Sequence, residues 1–299
     1  MRRFACLLMP LALSSITGCI WTNEGGFTER YEADKEFTLE SPKDSWNGGP
    51  ILIKNPHGNV QIVGVPGKTN ISVHALFVAG ATSQEDANAA FEDVKAGVTI
   101  EEQQGSWLID CPLAKEWHGS VDPISTGCTS LRVELPAGSL GAPLEINSSI
   151  PDGGFHVSGI TAKLLILEAP FGIVADITPT SDALIDFFGK NLASGMCSSI
   201  LRLPPDVTFG QADLSVDNPE VEFVDVDPND PRYWPGAGIE GFVGAPMVPP
   251  RTGSFSWERP GDPPSTAKFT LHASIGKALL TTAPLPEYGK VHQCEIWKP

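Results

Sequence analysis

Short strand-like segments recur along the chain, and each is followed by a turn at or near a glycine and by another strand-like segment. Three of these units begin at Leu144, Leu164 and Leu184, at a spacing of 20 residues. A unit of this length cannot bury its apolar face alone and has to stack on its neighbours. The spacing therefore predicts an all-β fold, a β-solenoid of the parallel β-helix type. The alternative is a β-sandwich of independent hairpins.

One segment departs from the strand pattern. Residues Ser83 to Lys95 place four apolar side chains on one helical face, namely Ala87, Ala90, Phe91 and Val94. Ser83 with Asp86 is suited to cap the first turn. We predict one short helix here, whose apolar face packs on the core or covers a sheet edge.

The first 18 residues are typical of an export signal, with two arginines before an apolar stretch from Phe4 to Ile16. The run Ile16-Thr17-Gly18-Cys19 resembles the bacterial lipobox, in which the cysteine is acylated and becomes the first residue of the mature protein. An ordinary secretory signal that contains a cysteine is the alternative. The resemblance implies a lipoprotein held in the membrane by acyl chains, such as palmitate, on Cys19. Ile20 in place of aspartate implies sorting to the outer membrane.

The domain organisation follows from these features. Residues 1–18 are the predicted signal peptide, 19–45 the lipidated N-terminus and a tether, and 46–299 the β domain. Proline, glycine and polar residues are frequent in 227–267, which predicts a long excursion from the repeat. The net charge of −16 and the absence of clustered Lys and Arg exclude a typical nucleic-acid-binding protein.

Four cysteines remain after residue 19, and an oxidising envelope favours two disulfides among them. Three pairings are possible. The loop-like segment between Cys111 and Cys128 favours that pair, which leaves Cys197 with Cys294 by elimination. A zinc site is disfavoured because the sequence has no C-x-x-C pair.

The order of elements is similar to that of the adhesin-like domain of unknown function found in bacterial envelope proteins. The matching segments are Ile51 to Ile62, the helix after His74, the strand around Trp107, Leu131 to Gly138 and the later glycine-turn strands. The similarity extends from Gly49 to Thr282. It implies a β-solenoid and a binding role, and the 227–267 excursion departs from it.

Motifs for catalysis and metal binding are missing from the sequence. There is no G-x-S-x-G, H-E-x-x-H or Walker motif. Within the acidic run from Asp217 to Asp230, Asp225-x-Asp227-x-Asn229 begins like a calcium loop. The sixth and twelfth positions of that loop would be Asp230 and Gly236, where a calcium loop has glycine and glutamate. We therefore predict no cofactor, no metal and no enzymatic activity. An enzyme acting on envelope polysaccharide, with two convergent carboxylates, is the alternative.

Aromatic side chains in segments that look like loops are the candidate ligand contacts. Tyr233, Trp234 and Trp257 could stack on sugar rings, although tryptophan also closes solenoid ends by burial. We predict an envelope protein that binds a surface polysaccharide or another envelope protein. A purely structural lipoprotein is a further alternative.

Overall fold

The computed structural model describes residues 29–32, 37–113, 121–137, 143–189, 198–218, 236–242, 253–259 and 265–285. Within these residues the fold is all-β with one helix, α1, at Gln84–Gly97. The strands are β1 Glu29–Glu32, β2 Phe37–Glu40, β3 Ile51–Lys54, β4 Asn59–Val65, β5 Ser72–Ala81, β6 Thr99–Gln103, β7 Ser106–Asp110, β8 Asp122–Pro136, β9 Leu144–Ser149, β10 Phe155–Ala169, β11 Ile173–Gly189, β12 Ser199–Arg202, β13 Gln211–Val216, β14 Gly236–Glu240, β15 Ser254–Glu258, β16 Lys268–Ala273 and β17 Lys277–Thr281. All of them are linked by pairing into one mixed sheet.

Two runs of parallel strands make up most of this sheet. The first, ladder A, has the order β8, β4, the start of β10, the start of β11, β12, β17 and β14. The second, ladder B, has the order β7, β3, β9, the end of β10, the end of β11, β16 and β13. Successive repeats therefore pair in parallel and do not form antiparallel hairpins.

Strands β10 and β11 belong to both ladders. Their mutual register shifts between Ser158 and Ile160 and again between Ala162 and Leu164, where the chain crosses from ladder A to ladder B. Beyond that point Leu164 lies directly opposite Leu184. The 20-residue spacing therefore aligns Leu164 with Leu184, whereas Leu144 lies opposite Ala162 because the register shifts before Leu164.

Glycine turns return the chain from ladder B to ladder A. The turns after β3, β9, β10 and β16 contain Gly58, Gly153, Gly172 and Gly276, each with φ between 94° and 105°. Glycine adopts this left-handed region without the steric cost that other residues have. The predicted pattern of strand, glycine turn and strand is confirmed at all four places.

The helix and an aromatic cluster lie against different parts of the core. Helix α1 contacts β5 and β8, and its buried residues are the four predicted from the sequence. The Ser83 side chain accepts a hydrogen bond from the Asp86 backbone N–H at 3.1 Å, so the predicted cap is confirmed. The aromatic cluster is centred on Phe209, which contacts Phe242 and Phe269 with ring centroids 5.5 and 5.2 Å apart.

Two predicted irregular segments contain strands. The tether predicted at 19–45 includes β1 and β2, which pair antiparallel with β5 and place Tyr31, Phe37 and Leu39 against the core. The excursion predicted at 227–267 includes β14, paired with β17, and β15, paired with β13. In both segments, apolar side chains at alternate positions reach the core, which the abundant charged residues, prolines and glycines concealed.

A disulfide joins Cys111 to Cys128, as predicted, with Cα atoms 6.2 Å apart. Both residues are buried, and the bond links the end of β7 to β8. Cys197 and Cys294 lie outside the described residues, as do the signal peptide and Cys19. Within the described ranges no helix is long and apolar enough to cross a membrane.

Candidate functional site

The outer face of ladder B differs from an ordinary wet sheet face because it exposes apolar side chains. Along β11, Ile185 and Phe187 point into the core, so Leu184, Asp186 and Phe188 point outward. Leu184 is 42% exposed and Phe188 is 38% exposed. Leu184 and Phe188 lie on the same face of β11 with Asp186 between them, and exposed apolar side chains grouped on a sheet are typical of a binding surface.

Strand β10 extends this surface. Its Leu164 and Ile166 point outward, are half-buried, and lie opposite Leu184 and Asp186. We call Leu164, Ile166, Leu184 and Phe188 the apolar patch. Two strands away from Ile166, on the outer face of β3, Leu52 is 40% exposed, and the exposed polar side chain of Asn147 separates it from the patch.

A polar cluster borders the patch at Phe188. The His272 ring, on the neighbouring strand β16, stacks on the Phe188 ring with centroids 4.5 Å apart and planes 14° from parallel. His272 Nδ1 lies 2.9 Å from Ser215 Oγ, and its Nε2 lies 3.4 Å from Asp217 Oδ2. These contacts hold the imidazole in place, and the imidazole in turn holds the phenyl ring at the surface.

Ser215, His272 and Asp217 have the connectivity of a nucleophilic triad, with a hydroxyl and a carboxylate on opposite nitrogens of one imidazole. Such a triad also needs free N–H groups to stabilise an oxyanion. The N–H groups that follow Ser215 are engaged, since Val216 donates to the Gly253 carbonyl at 2.7 Å and Asp217 donates to the Ala273 carbonyl at 3.2 Å. The arrangement is therefore better suited to fixing a surface than to acyl transfer.

Of the three aromatic residues predicted to contact a ligand, only Trp257 lies within the described residues. Trp257 lies in β15 and not in a loop, and its half-buried ring packs edge-on against Phe209 at 5.0 Å. It contributes to the aromatic cluster, because β15 pairs with β13 and its apolar side chains alternate toward the core. Tyr233 and Trp234 lie outside the described residues.

Most of the acidic run predicted from the sequence lies outside the described residues, and only Asp217 can be placed, beside His272. In the part of the chain that the structure describes, no group of three or more His, Cys, Asp or Glu side chains is arranged to hold a metal ion.

The apolar patch is not among the sites predicted from the sequence, although the sequence contains a signal for it. A strand with one wet face alternates apolar and polar residues, but Leu164 to Leu167 is continuously apolar, and Leu184 to Phe188 is interrupted only by Asp186. Such runs indicate apolar residues on the outer face as well as in the core.

Comparisons with known proteins give two similar solved structures. A putative cell adhesion protein from Clostridium sporogenes ATCC 15579 is 14% identical, with a TM-score of 0.48 over 83% of this chain and 98% of that chain. A putative adhesin from Bacteroides fragilis NCTC 9343 is 9% identical, with a TM-score of 0.22 over the same shares of the two chains. No family model and no curated protein sequence matches the chain.

Proposed function

We propose that this protein is a non-enzymatic, lipid-anchored module of the bacterial cell envelope that binds another envelope component through the outer face of ladder B. The observation that supports this function is the apolar patch, in which Leu184 and Phe188 are exposed on β11 beside the outward side chains of the parallel strand β10. The opposite face of both strands is buried in the core. Exposed apolar side chains on a solvated sheet are unfavourable unless another surface covers them.

We further propose that ladders A and B are two faces of a β-solenoid. The support is that the chain passes alternately from ladder B through a glycine turn to ladder A, and that β10 and β11 then lead back to ladder B. Each passage stacks in parallel on the previous one, and one continuous apolar core includes residues from both ladders. A solenoid would present ladder B as a flat, extended surface, which suits binding.

Anchoring through Cys19 and location at the outer membrane are part of the same proposal and derive from the sequence alone. Cells that produce the full chain should incorporate radiolabelled palmitate into it, and Cys19→Ser should abolish the label. Protease added to intact cells, with a periplasmic protein as leakage control, distinguishes a surface domain from one that faces the periplasm.

The binding role is tested by co-sedimentation of the mature, unacylated chain (Cys19→Ser) with isolated envelope fragments. Leu184→Thr with Phe188→Thr should reduce the sedimented fraction. Leu76→Thr is the matched control, because Leu76 is 37% exposed but lies on β5, away from the patch. Equal sedimentation of all three proteins would contradict the proposed binding face and favour a purely structural lipoprotein.

Hydrolysis is the second candidate function, and the Ser215, His272 and Asp217 cluster is the observation that favours it. Purified chain would then cleave a p-nitrophenyl ester, and Ser215→Ala would abolish that cleavage. We expect no cleavage above that of Ser215→Ala, because the N–H groups beside Ser215 donate to carbonyls.

A further inference from the structure

Asp186 is an acidic residue that lies among the apolar side chains of the patch. It lies between Leu184 and Phe188 along β11 and opposite Ile166 on β10. Within the described ranges it makes no hydrogen bond and no ion pair, and burial raises the pKa of its carboxyl group. A carboxylate that is partly desolvated without a counter-charge attracts a cation more strongly than one in open water.

Carboxylates outnumber lysines around the patch. Four further carboxylates lie on the same face around it, from Glu145, Glu168, Asp213 and Asp217. Two lysines lie beside them, and Lys163 is already paired with Glu145 at 3.1 Å. Lys268 lies opposite Leu184, one step diagonally from Asp186. The surface is therefore apolar at its centre and acidic at its rim, which excludes strongly anionic ligands.

The shape of the patch favours a polypeptide ligand, which would contact it with side chains, over a carbohydrate ligand, which would contact it with sugar rings. Three of its four members are aliphatic, and one face of the single aromatic ring, that of Phe188, is covered by His272. Sugar recognition commonly uses open aromatic faces, whereas aliphatic side chains on a flat sheet complement other aliphatic side chains. The acidic rim adds complementarity to lysine or arginine.

From this geometry we propose that the outer face of ladder B binds a polypeptide segment in which apolar residues flank a lysine or arginine, with the cation placed against Asp186. The inference rests on the proposed binding function and names the chemistry of the partner. The apolar side chains of the segment would cover Leu184 and Phe188, and its ammonium or guanidinium group would supply the counter-charge that Asp186 lacks in the described structure.

The test is titration of the purified full chain with fluorescent ten-residue peptides, followed by anisotropy. The first alternates leucine with lysine, the second alternates leucine with glutamate, and the third alternates serine with lysine. The leucine–lysine peptide should bind, and Asp186→Asn should raise its dissociation constant roughly tenfold. Leu184→Thr with Phe188→Thr should have a similar effect. Asp206→Asn and Leu76→Thr, which change an exposed aspartate and an exposed leucine elsewhere, should have none.

Three outcomes would overturn the inference: equal binding of the leucine–glutamate peptide, equal binding of the serine–lysine peptide, or an unchanged dissociation constant for Asp186→Asn. Binding of a neutral glucan oligosaccharide that depends on the patch would also overturn it, in favour of a carbohydrate ligand. If Leu184→Thr with Phe188→Thr reduces co-sedimentation but Asp186→Asn does not, the proposed binding function is supported and only the proposed partner chemistry is contradicted. If Leu184→Thr with Phe188→Thr does not reduce co-sedimentation, both the proposed binding function and the proposed partner chemistry are contradicted.

Discussion

At the scale of the residue, close backbone stacking in the turns requires glycine. Gly153 has φ of 94°, and a Cβ atom added there would collide with the Gly58 carbonyl oxygen in the adjacent turn. Gly67 has φ of 76°, but no heavy atom of the described residues lies within 4 Å of such a Cβ. The two positions separate the effect of the backbone conformation from the effect of the close approach.

We expect Gly67→Ala to lower the free energy of unfolding by about 1 kcal/mol, because an L-residue is disfavoured in the left-handed region. Gly153→Ala should lower it by about 2–5 kcal/mol, since the collision adds to the same backbone cost. Urea denaturation of both variants measures the difference. Equal losses would contradict the stacked-turn geometry.

Two histidines, the partly buried His57 and the buried His156, give a second prediction at this scale. Burial lowers the pKa of His57, opposed in part by the Asp152 carboxylate 3.3 Å away, and Arg30 lowers it further. Burial also lowers the pKa of His156, opposed by Asp176. Both folded-state pKa values lie below the ordinary 6.5, so the folded state favours neutral imidazoles.

Stability from these groups is therefore complete above the ordinary histidine pKa and is lost as the pH falls through the folded-state values. The urea midpoint should decrease between about pH 7 and pH 5. In the double variant His57→Gln and His156→Gln the midpoint should vary less across this interval. An unchanged slope in the variant would show that other groups cause the acid sensitivity.

At the scale of the element, the disulfide fixes the segment that follows β7 against β8. Cys111 and Cys128 are 17 residues apart, and closing a loop of this length stabilises a fold by about 3 kcal/mol in the chain-entropy model. Cys111→Ala with Cys128→Ala should lower the unfolding free energy by about that amount. Guanidinium denaturation under non-reducing conditions measures it, and a change below about 0.5 kcal/mol would contradict a structural role for the bond.

The elements with strong local signals could be predicted from the sequence. Helix α1 and the four glycine turns follow from capping, periodicity and the position of glycine. Strands β1 and β2 could not, because charged residues around Tyr31 and Phe37 mask the alternate apolar positions that reach the core. The sequence also does not reveal that β10 belongs to both ladders, because the register shift near Ile160 depends on pairing with distant strands.

At the scale of the whole molecule, the candidate site could not be predicted from the sequence. Of the predicted ligand contacts Tyr233, Trp234 and Trp257, only Trp257 lies within the described residues, and it packs on Phe209 within the aromatic cluster. The apolar patch combines residues from β10 and β11, and its border with His272 involves β13 and β16 as well. Parallel stacking brings these strands together, and a single sequence records only the outward apolar positions of each strand.

The outer face of ladder B is the proposed contact surface for an envelope partner. A photo-reactive amino acid in place of Leu184, in intact cells producing the full chain, tests it most directly, with the same substitution at Leu76 as the control. These two side chains are similarly exposed, on β11 and on β5. We expect a discrete cross-linked product from position 184 and none from position 76. Equal products from both positions, or a product from position 76 alone, would contradict it.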